Sequence, residues 1–401
     1  MHKKIIALLL VCVFAFSLTA CGGSGSSGGG SGASGGGSSS GGGASAPSPI
    51  LIGHSVALTG GSALWGESEK NALDMEIEKI NADGGVLGRP IAFKRYDNKA
   101  DATESVNVAN RLIADGVVAI IGPAQSGVAI AATSVTGPAK MILIGTTTTN
   151  EKVTVEDGEL HPYNFRTTII DSYQGLVAAN FAINDLKSKK AAILIDIGSD
   201  YSQGLAEHFI ANYTKGGGEI VAEEAFRSEE LDYRAQLGKI KDSGADLLFI
   251  PTMQKEAGLA MKQARDLGLT CDFLGGDAWA SIELIELGGE ATEGCFYVNL
   301  ASLEDPVLAD WVKAYKDKWG KDPVMPNPVF AVDALYVVID AIKATNGTDS
   351  VAMAKHIENI KDLKVLTGNI SFEPETHNPV GKSAVIETVK NGEFTFYKGI
   401  N

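Results

Sequence analysis

Basic side chains are in deficit: 34 Lys and Arg stand against 49 Asp and Glu, a formal net charge of −15. A nucleic-acid partner calls for a basic patch, so this balance argues against one and otherwise speaks mainly to solubility. Cysteine is nearly absent. Cys12 and Cys21 lie in the N-terminal stretch, which leaves Cys271 and Cys295 for the folded part. One pair is too few for a disulfide scaffold and reads either as a single disulfide or as two buried thiols. Only one long apolar run exists, Ile5 to Phe16, short of the roughly 20 residues that span a bilayer. Histidine is sparse too. His2, His54, His161, His208, His356 and His377 include no pair at metal-ligand spacing and no H-E-x-x-H, so neither metal nor cofactor is expected. Gly381-Lys382-Ser383 ends like a phosphate-binding loop, but Thr376 stands where that loop needs its first glycine. No G-x-S-x-G elbow joins a strand to a helix, and Trp65, Trp279, Trp311 and Trp319 are scattered. With no catalytic constellation, the chain is not expected to be an enzyme.

What is present begins with targeting information. His2, Lys3 and Lys4 precede the apolar run, and Leu18-Thr19-Ala20-Cys21 follows it. Residues 1–20 read as a signal peptide. Small residues before a cysteine resemble the bacterial lipobox, in which the cysteine is acylated and becomes the mature N-terminus; an ordinary secretory signal is the alternative. Gly22 to Ala46 is almost wholly Gly, Ser and Ala. It has little to bury and is expected to be a flexible coil of about 25–30 Å span. Residues 21–48 therefore read as a lipid-anchored tether that holds a folded part at the outer face of the cytoplasmic membrane.

From Pro49 the chain exceeds the usual size of one hydrophobic core, so two lobes are expected. Short apolar runs alternate with amphipathic helical stretches, a rhythm of parallel sheets covered by helices. Strands are predicted at Ile50–Ala57, Ile91–Tyr96, Val117–Ile121 and Met141–Ile144, with helices over Lys70–Asn81, Thr103–Ala114 and from Gly127. In the first of these helices Leu73, Ile77 and Ile80 share a face. The rhythm restarts with helices Gln174–Leu186, Gln203–Tyr213, Tyr233–Asp242 and Glu256–Leu267 and strands Ala191–Ile195, Ile220–Phe226, Leu247–Ile250 and Phe273–Gly275. Later helices are predicted over Pro306–Trp319 and Pro328–Ala344. The fold class is α/β, two doubly wound lobes with parallel sheets.

In such sheets ligands bind beyond the carboxyl ends of the strands, so the loops after Ala57, Ile121, Ile144, Ile195, Ile250 and Gly275 are the candidates. The loop Gly122 to Gly127 carries Ser126 just before a helix. Free N–H groups and the positive dipole end suit a carboxylate there, although a plain N-cap serine fits the same position. Gly145-Thr146-Thr147-Thr148-Thr149-Asn150 offers hydroxyls and backbone groups at the next strand end. Asp277 follows Gly275-Gly276 at the analogous place in the second unit, where an acid suits an ammonium group or is simply a solvated loop residue. Together these loops read as a clamp for a zwitterion.

The stretches IGHSVALTGGSALWGESEKNALDMEIEKINADGGVLGRPI, ANRLIADGVVAIIGPAQSG and DYRAQLGKIKDSGADLLFIPT resemble the branched-chain amino-acid (Leu/Ile/Val) binding proteins of bacterial ABC importers. The resemblance runs from about Pro49 to Tyr397. It implies a hinged fold of the type I periplasmic-binding-protein kind with three crossovers, near Thr167, Leu300 and Glu375. The implied lobes are 49–167 with 301–375 and 168–300 with 376–401. It places the carboxylate-binding serine on Ser126 and the threonine that contacts both ends of the zwitterion on Thr149. The carbonyl that takes the ammonium falls on Thr147 and its acidic partner on Asp277. Aromatic contacts fall on Trp65 and Tyr201, with Met253 at a third, and Gln125 faces the site. A loop disulfide found in some relatives falls on Ala100 and Gln125 and is therefore missing. The implied function is capture of a small branched-chain or other apolar amino acid for ABC permease subunits, by a monomer. A ligand-sensing module of the same fold, or binding of an amide or urea-type solute, is the alternative.

Overall fold

The structure, a computed structural model, describes residues 47–400. The signal peptide, Cys21 and nearly all of the tether lie outside the described residues. Among those described, no helix is long and apolar enough to cross a membrane.

The first half of the chain runs β1 Ile50–Val56, α1 Ala63–Ala82, β2 Ile91–Asp97, α2 Ala102–Ala114, β3 Ile120–Ile121, α3 Ser126–Thr136 and β4 Leu143–Gly145. A small hairpin, β5 Val155–Glu156 and β6 Glu159–Leu160, precedes β7 Asn164–Arg166. Strands β2-β1-β3-β4-β7 form a five-stranded sheet whose neighbours are all parallel. The second half continues with α4 Asp171–Asn184, β8 Lys190–Asp196, α5 Asp200–Lys215, β9 Glu219–Phe226, α6 Arg234–Ser243, β10 Leu247–Phe249, α7 Gln254–Asp266, β11 Asp272–Gly275, α8 Ile282–Gly288 and β12 Phe296–Asn299. Then come α9 Ala309–Trp319, α10 Asn327–Thr345, α11 Ser350–Ile357, β13 Leu363–Val365, β14 Gly368–Phe372, β15 Pro379–Val380, β16 Ala384–Lys390 and β17 Glu393–Ile400. The second sheet has seven strands in the order β17-β16-β12-β11-β10-β8-β9.

Helices cover both faces of the first sheet. Ile52, Ile121, Ile144 and Phe165 pack with Leu335, Val338 and Ile342 of α10. On the other face Ile120 and Leu143 meet Val108 and Leu112 of α2 and Ala132 of α3. In the second sheet Ile193, Leu194, Leu248, Phe249 and Leu274 anchor a larger core with α4 to α7. The α/β architecture with parallel sheets is thus as the alternation predicts. The second sheet departs from it at one edge, where β16 pairs antiparallel with both β12 and β17. Periodicity gives no warning of this, because an edge strand with one exposed face reads as alternating polar sequence.

Helix α1 begins at Ala63, seven residues before the predicted Lys70, because its first two turns bury Trp65, Gly66, Ser68 and Glu69 against other elements rather than showing a separate apolar stripe. The strand predicted from Val117 is reduced to Ile120–Ile121. Cys271 and Cys295 are two free, buried thiols, which decides between the two readings of that pair. The chain passes from the first sheet to the second after β7, returns after β12 to the α9–α10 segment, and enters the second sheet again between β15 and β16.

Candidate functional site

Parallel strands deliver their carboxyl ends to one side, so the loops after β1, β3, β4, β8, β10 and β11 meet there. They enclose a cleft of about 410 Å³ lined by Trp65, Gln125, Ser126, Thr147, Tyr201, Met253 and Asp277 among others. Thr149, the remaining candidate, is fully buried and is not among the lining residues. The cleft is bridged at its rim. The Asn150 side-chain amide donates to the Asp200 carbonyl at 2.8 Å, and that of Gln254 donates to the Gly61 carbonyl at 3.4 Å.

Helix α3 aims its N-terminus into this space. The turn that feeds it needs Gly122, whose φ is +83° and where a Cβ would stand 2.3 Å from the Ser55 carbonyl oxygen. The helix N-cap is Gln125, not Ser126. Ser126 is the first helical residue, and its Oγ accepts from the Asn150 N–H at 3.2 Å. The plain-cap reading of this serine is thereby replaced: the hydroxyl ties the α3 turn to the threonine loop and leaves the first-turn N–H groups unused. Both polar atoms of the Gln125 amide are buried without a hydrogen-bond partner among the described residues, as is Trp65 Nε1. Buried polar atoms in that condition are costly and favour a polar occupant.

The threonine loop is held by a residue that sequence reading passed over. Arg166, the last residue of β7, is completely buried. Its guanidinium donates to the carbonyls of Thr148 at 2.8 Å and Asn150 at 2.8 Å, and to Thr154 Oγ1 at 3.1 Å. Burial lowers its pKa to about 10, leaving it charged at neutral pH. Thr149 sits between the two clamped carbonyls, and its Oγ1 has no hydrogen-bond partner among the described residues. Thr147 Oγ1 donates to the Ala124 carbonyl at 3.1 Å, which joins this loop to the one before α3. A basic residue closing an apolar strand, Asn164-Phe165-Arg166, was the available signal, since arginine is almost never fully buried unless paired.

From the second sheet comes Asp277, 5% exposed. Its Oδ1 accepts from Gln174 Nε2 at 3.0 Å and from the Tyr201 hydroxyl at 3.0 Å. The Gln174 Oε1 in turn accepts from the Asp277 N–H at 3.1 Å. Asp277 is therefore no solvated loop residue. Burial drives its pKa up, the two hydrogen bonds oppose this, and the result is about 6. The preceding Gly276 is required by crowding: a Cβ there would lie 2.3 Å from Gln174 Oε1 and 2.4 Å from the Tyr201 hydroxyl. Gln174 was missed because β7, the short strand that precedes α4, is not among the strands predicted from the sequence, so no candidate loop was placed there. Among the described residues no group of His, Cys, Asp and Glu is arranged to hold a metal.

Chemically, the cleft sets helix N–H groups and hydroxyls from one sheet opposite a buried carboxylate from the other. A family model described as periplasmic binding protein matches residues 49–393. The Leu/Ile/Val-binding protein homolog 1 of Brucella abortus (strain 2308) is 30% identical over 325 residues, 81% of this chain and 86% of that protein. The crystal structure of a leucine-binding protein, LivK, from Thermotoga maritima aligns with TM-score 0.81 and 31% identity over 88% of this chain and 99% of that one. That of LivJ from Streptococcus pneumoniae in complex with isoleucine aligns with TM-score 0.79 and 29% identity, covering 87% and 99%. A solute-binding protein of an ABC transporter from Rhodopseudomonas palustris, in complex with 3,4-dihydroxybenzoic acid, aligns with TM-score 0.77 and 25% identity over 88% and 97%. The chain belongs to the periplasmic binding protein family, as a solute-binding protein of the branched-chain amino-acid (Leu/Ile/Val) type with the type I fold.

Proposed function

We propose that this protein captures a small amino acid, branched-chain or otherwise apolar, by closure of its two lobes and presents it to the permease of an ABC importer. It does so as a monomer without enzymatic activity, held at the outer face of the cytoplasmic membrane by acylated Cys21. The lobes are residues 49–167 with 301–375 and residues 168–300 with 376–401. In this reading Ser126 and the α3 N-terminus take the ligand carboxylate, and Thr149 contacts both charged ends. The Thr147 carbonyl and Asp277 take the ammonium. Trp65, Tyr201, Met253 and Gln125 surround the rest.

The observation that carries the reading is Asp277, a cleft-lining carboxylate whose Oδ1 is occupied by Gln174 and Tyr201. A positive ligand group completes its surroundings by a charge-assisted hydrogen bond. The test is thermal shift over the amino acids, simple amides and urea, because a ligand that binds the native state alone raises its stability. Stabilisation by leucine, isoleucine or valine supports the proposal; stabilisation by urea or amides alone removes it. A second reading, an acid without an ammonium group, draws on the relative that holds 3,4-dihydroxybenzoic acid. It predicts stabilisation by aromatic acids and indifference to the amino acids. A sensing role would appear as ligand binding without any effect of the protein on ligand uptake by the cell.

A further inference from the structure

Three passages of chain link the two sheets, and they converge on Phe330 of α10. Just past β7, the Thr167 hydroxyl donates to the Phe330 carbonyl at 3.0 Å. Leu300, just past β12, and Lys382 and Ser383, just before β16, join Phe330 in lining a cavity of about 420 Å³. Val307, Leu308, Thr367 and Asn369 close its other walls. Leu300 and Phe330 also line a small recess that shares Trp65, Thr147 and Asp277 with the cleft. These two side chains therefore stand between the cleft and the cavity, which lie on opposite sides of the passages. One buried ion pair braces the cavity wall. Lys382 Nζ donates to Asp333 Oδ2 at 3.2 Å and to the Thr367 hydroxyl, with Asp333 fully buried and Lys382 nearly so. The lysine of the Gly381-Lys382-Ser383 run is thus committed inside the protein rather than to a phosphate. Removing one partner of such a pair leaves a buried charge, so the pair holds these passages in register.

We propose that this cavity is the counter-space of the hinge, widening as the cleft closes and squeezed as the cleft opens, so that its free volume sets the balance between open and closed forms. This rests on the reading that two lobes close on a ligand. Two bodies turning about a common line separate on one side as they approach on the other. In the proposed lobe division, Leu308, Thr367 and Asn369 belong to one lobe and Lys382 and Ser383 to the other, so the cavity lies between the lobes as the cleft does. The rim contacts from Asn150 to Asp200 and from Gln254 to Gly61 bridge the cleft side while the cavity side stands empty. Overpacking a filled space forces strain. A side chain that occupies the cavity therefore penalises the open form, in which the space is squeezed, and leaves the closed form and every cleft residue untouched. Affinity for the ligand then rises, because a larger fraction of the free protein is already competent to hold it.

The test fills the cavity from either lobe in the full chain, with Ser383→Trp and Asn369→Trp, both at exposed positions. Val351→Trp, on the exposed face of α11 and away from the cavity, is the control for added bulk. Small-angle scattering is recorded without ligand, and calorimetric titration is run with L-leucine, L-isoleucine and L-valine. Each cavity variant is expected to shrink the ligand-free radius of gyration toward the ligand-bound wild-type value. Each is also expected to tighten the best amino acid by about three- to tenfold, through the larger competent fraction. The control should match the wild type in both measurements. A residue that merely packs would weaken binding or leave it unchanged when enlarged, so a gain in affinity is the discriminating sign. Either cavity variant decides the matter if the other does not fold. A ligand-free radius no smaller than that of the wild type, or an affinity no tighter, overturns the inference alone, as does failure of both variants to fold. If the wild-type radius is unchanged by all three amino acids, the closure reading fails and takes this inference with it.

Discussion

At the scale of single residues, the balance of the site turns on two buried charges held in opposite ways. Asp277 is a carboxylate made reluctant by burial, with a pKa of about 6. A folded-state pKa above the unfolded value means the fold holds the proton more tightly. Its contribution to stability is present below the ordinary carboxylate range and is lost as pH rises through about 6. Ligand affinity runs the other way, because the ammonium needs the ionised form. If only that form binds, affinity at pH 5 should be about tenfold below its plateau above pH 7, the reduction expected when roughly a tenth of the sites are competent. Titrations at pH 5, 6 and 7.5 check this, and a flat profile would exclude the ammonium role. Asp277→Asn at pH 7.5 should cost about 2–5 kcal/mol of binding, as for breaking a buried charge pair. Affinities within threefold of each other would leave Asp277 a structural residue. Arg166 is the opposite case, a buried cation whose two terminal nitrogens are held by carbonyls and the Thr154 hydroxyl. Arg166→Met orphans the Thr148 carbonyl, at about 1–3 kcal/mol, while the Asn150 carbonyl keeps the Val153 N–H as a donor. Urea denaturation should therefore show a drop of about 1–3 kcal/mol, accompanied by loss of ligand binding.

Elements are aligned across the cleft by contacts that none of them makes alone. His208 on α5 pairs with Glu151, which follows the threonine loop, at 3.3 Å, and the Ser172 N–H at the start of α4 donates to the same carboxylate at 2.8 Å. The hydrogen bond that the His208 ring donates to the Glu151 carboxylate raises the His208 pKa, partly countered by burial. Burial alone would push the Glu151 carboxyl up, but His208 and Ser172 outweigh it and hold it at about 2. The signs follow directly. The histidine's contribution is complete below its ordinary pKa of about 6.5 and is lost as pH rises through its raised value. The glutamate's contribution is present above its ordinary pKa and lost only toward pH 2. His208→Gln should therefore lower the melting temperature at pH 6 and have a smaller effect at pH 8.5. Equal effects at both pH values would show that the ring acts by packing alone.

At the scale of the whole molecule, the two sheets bring complementary halves of one site together, so ligand binding and closure are a single event in the proposed mechanism. In that mechanism the rim contacts from Asn150 to Asp200 and from Gln254 to Gly61 are made on closure. Small-angle scattering should give a smaller radius of gyration with saturating amino acid than without it, and an unchanged radius would contradict closure. The free, buried thiols make a further whole-molecule expectation. Burial raises the Cys295 thiol to about 12 and also lifts Cys271. Neither should react with a thiol reagent until the protein unfolds, and reductant should leave the melting temperature unchanged; fast native labelling would contradict their burial.

The sequence by itself determined the alternation of strand and helix, the strand ends where a ligand would sit, and the family. These are local properties: a period of two or 3.6 residues, a glycine before a helix, a run of threonines. Ser126, the threonine loop and Asp277 could be singled out because each stands just beyond a strand, whereas Tyr201 came only with the family resemblance. What only the tertiary structure decided is how those residues are held. Gln174 reaches Asp277 across 103 positions of chain and Tyr201 reaches it across 76. Arg166 grips a loop that precedes it. The two cysteines remained ambiguous for the same reason, since whether two thiols meet depends on the packing of β11 and β12. Burial converts these residues from surface polarity into a charged, directional site, and burial is a property of the assembled sheets that no local pattern carries.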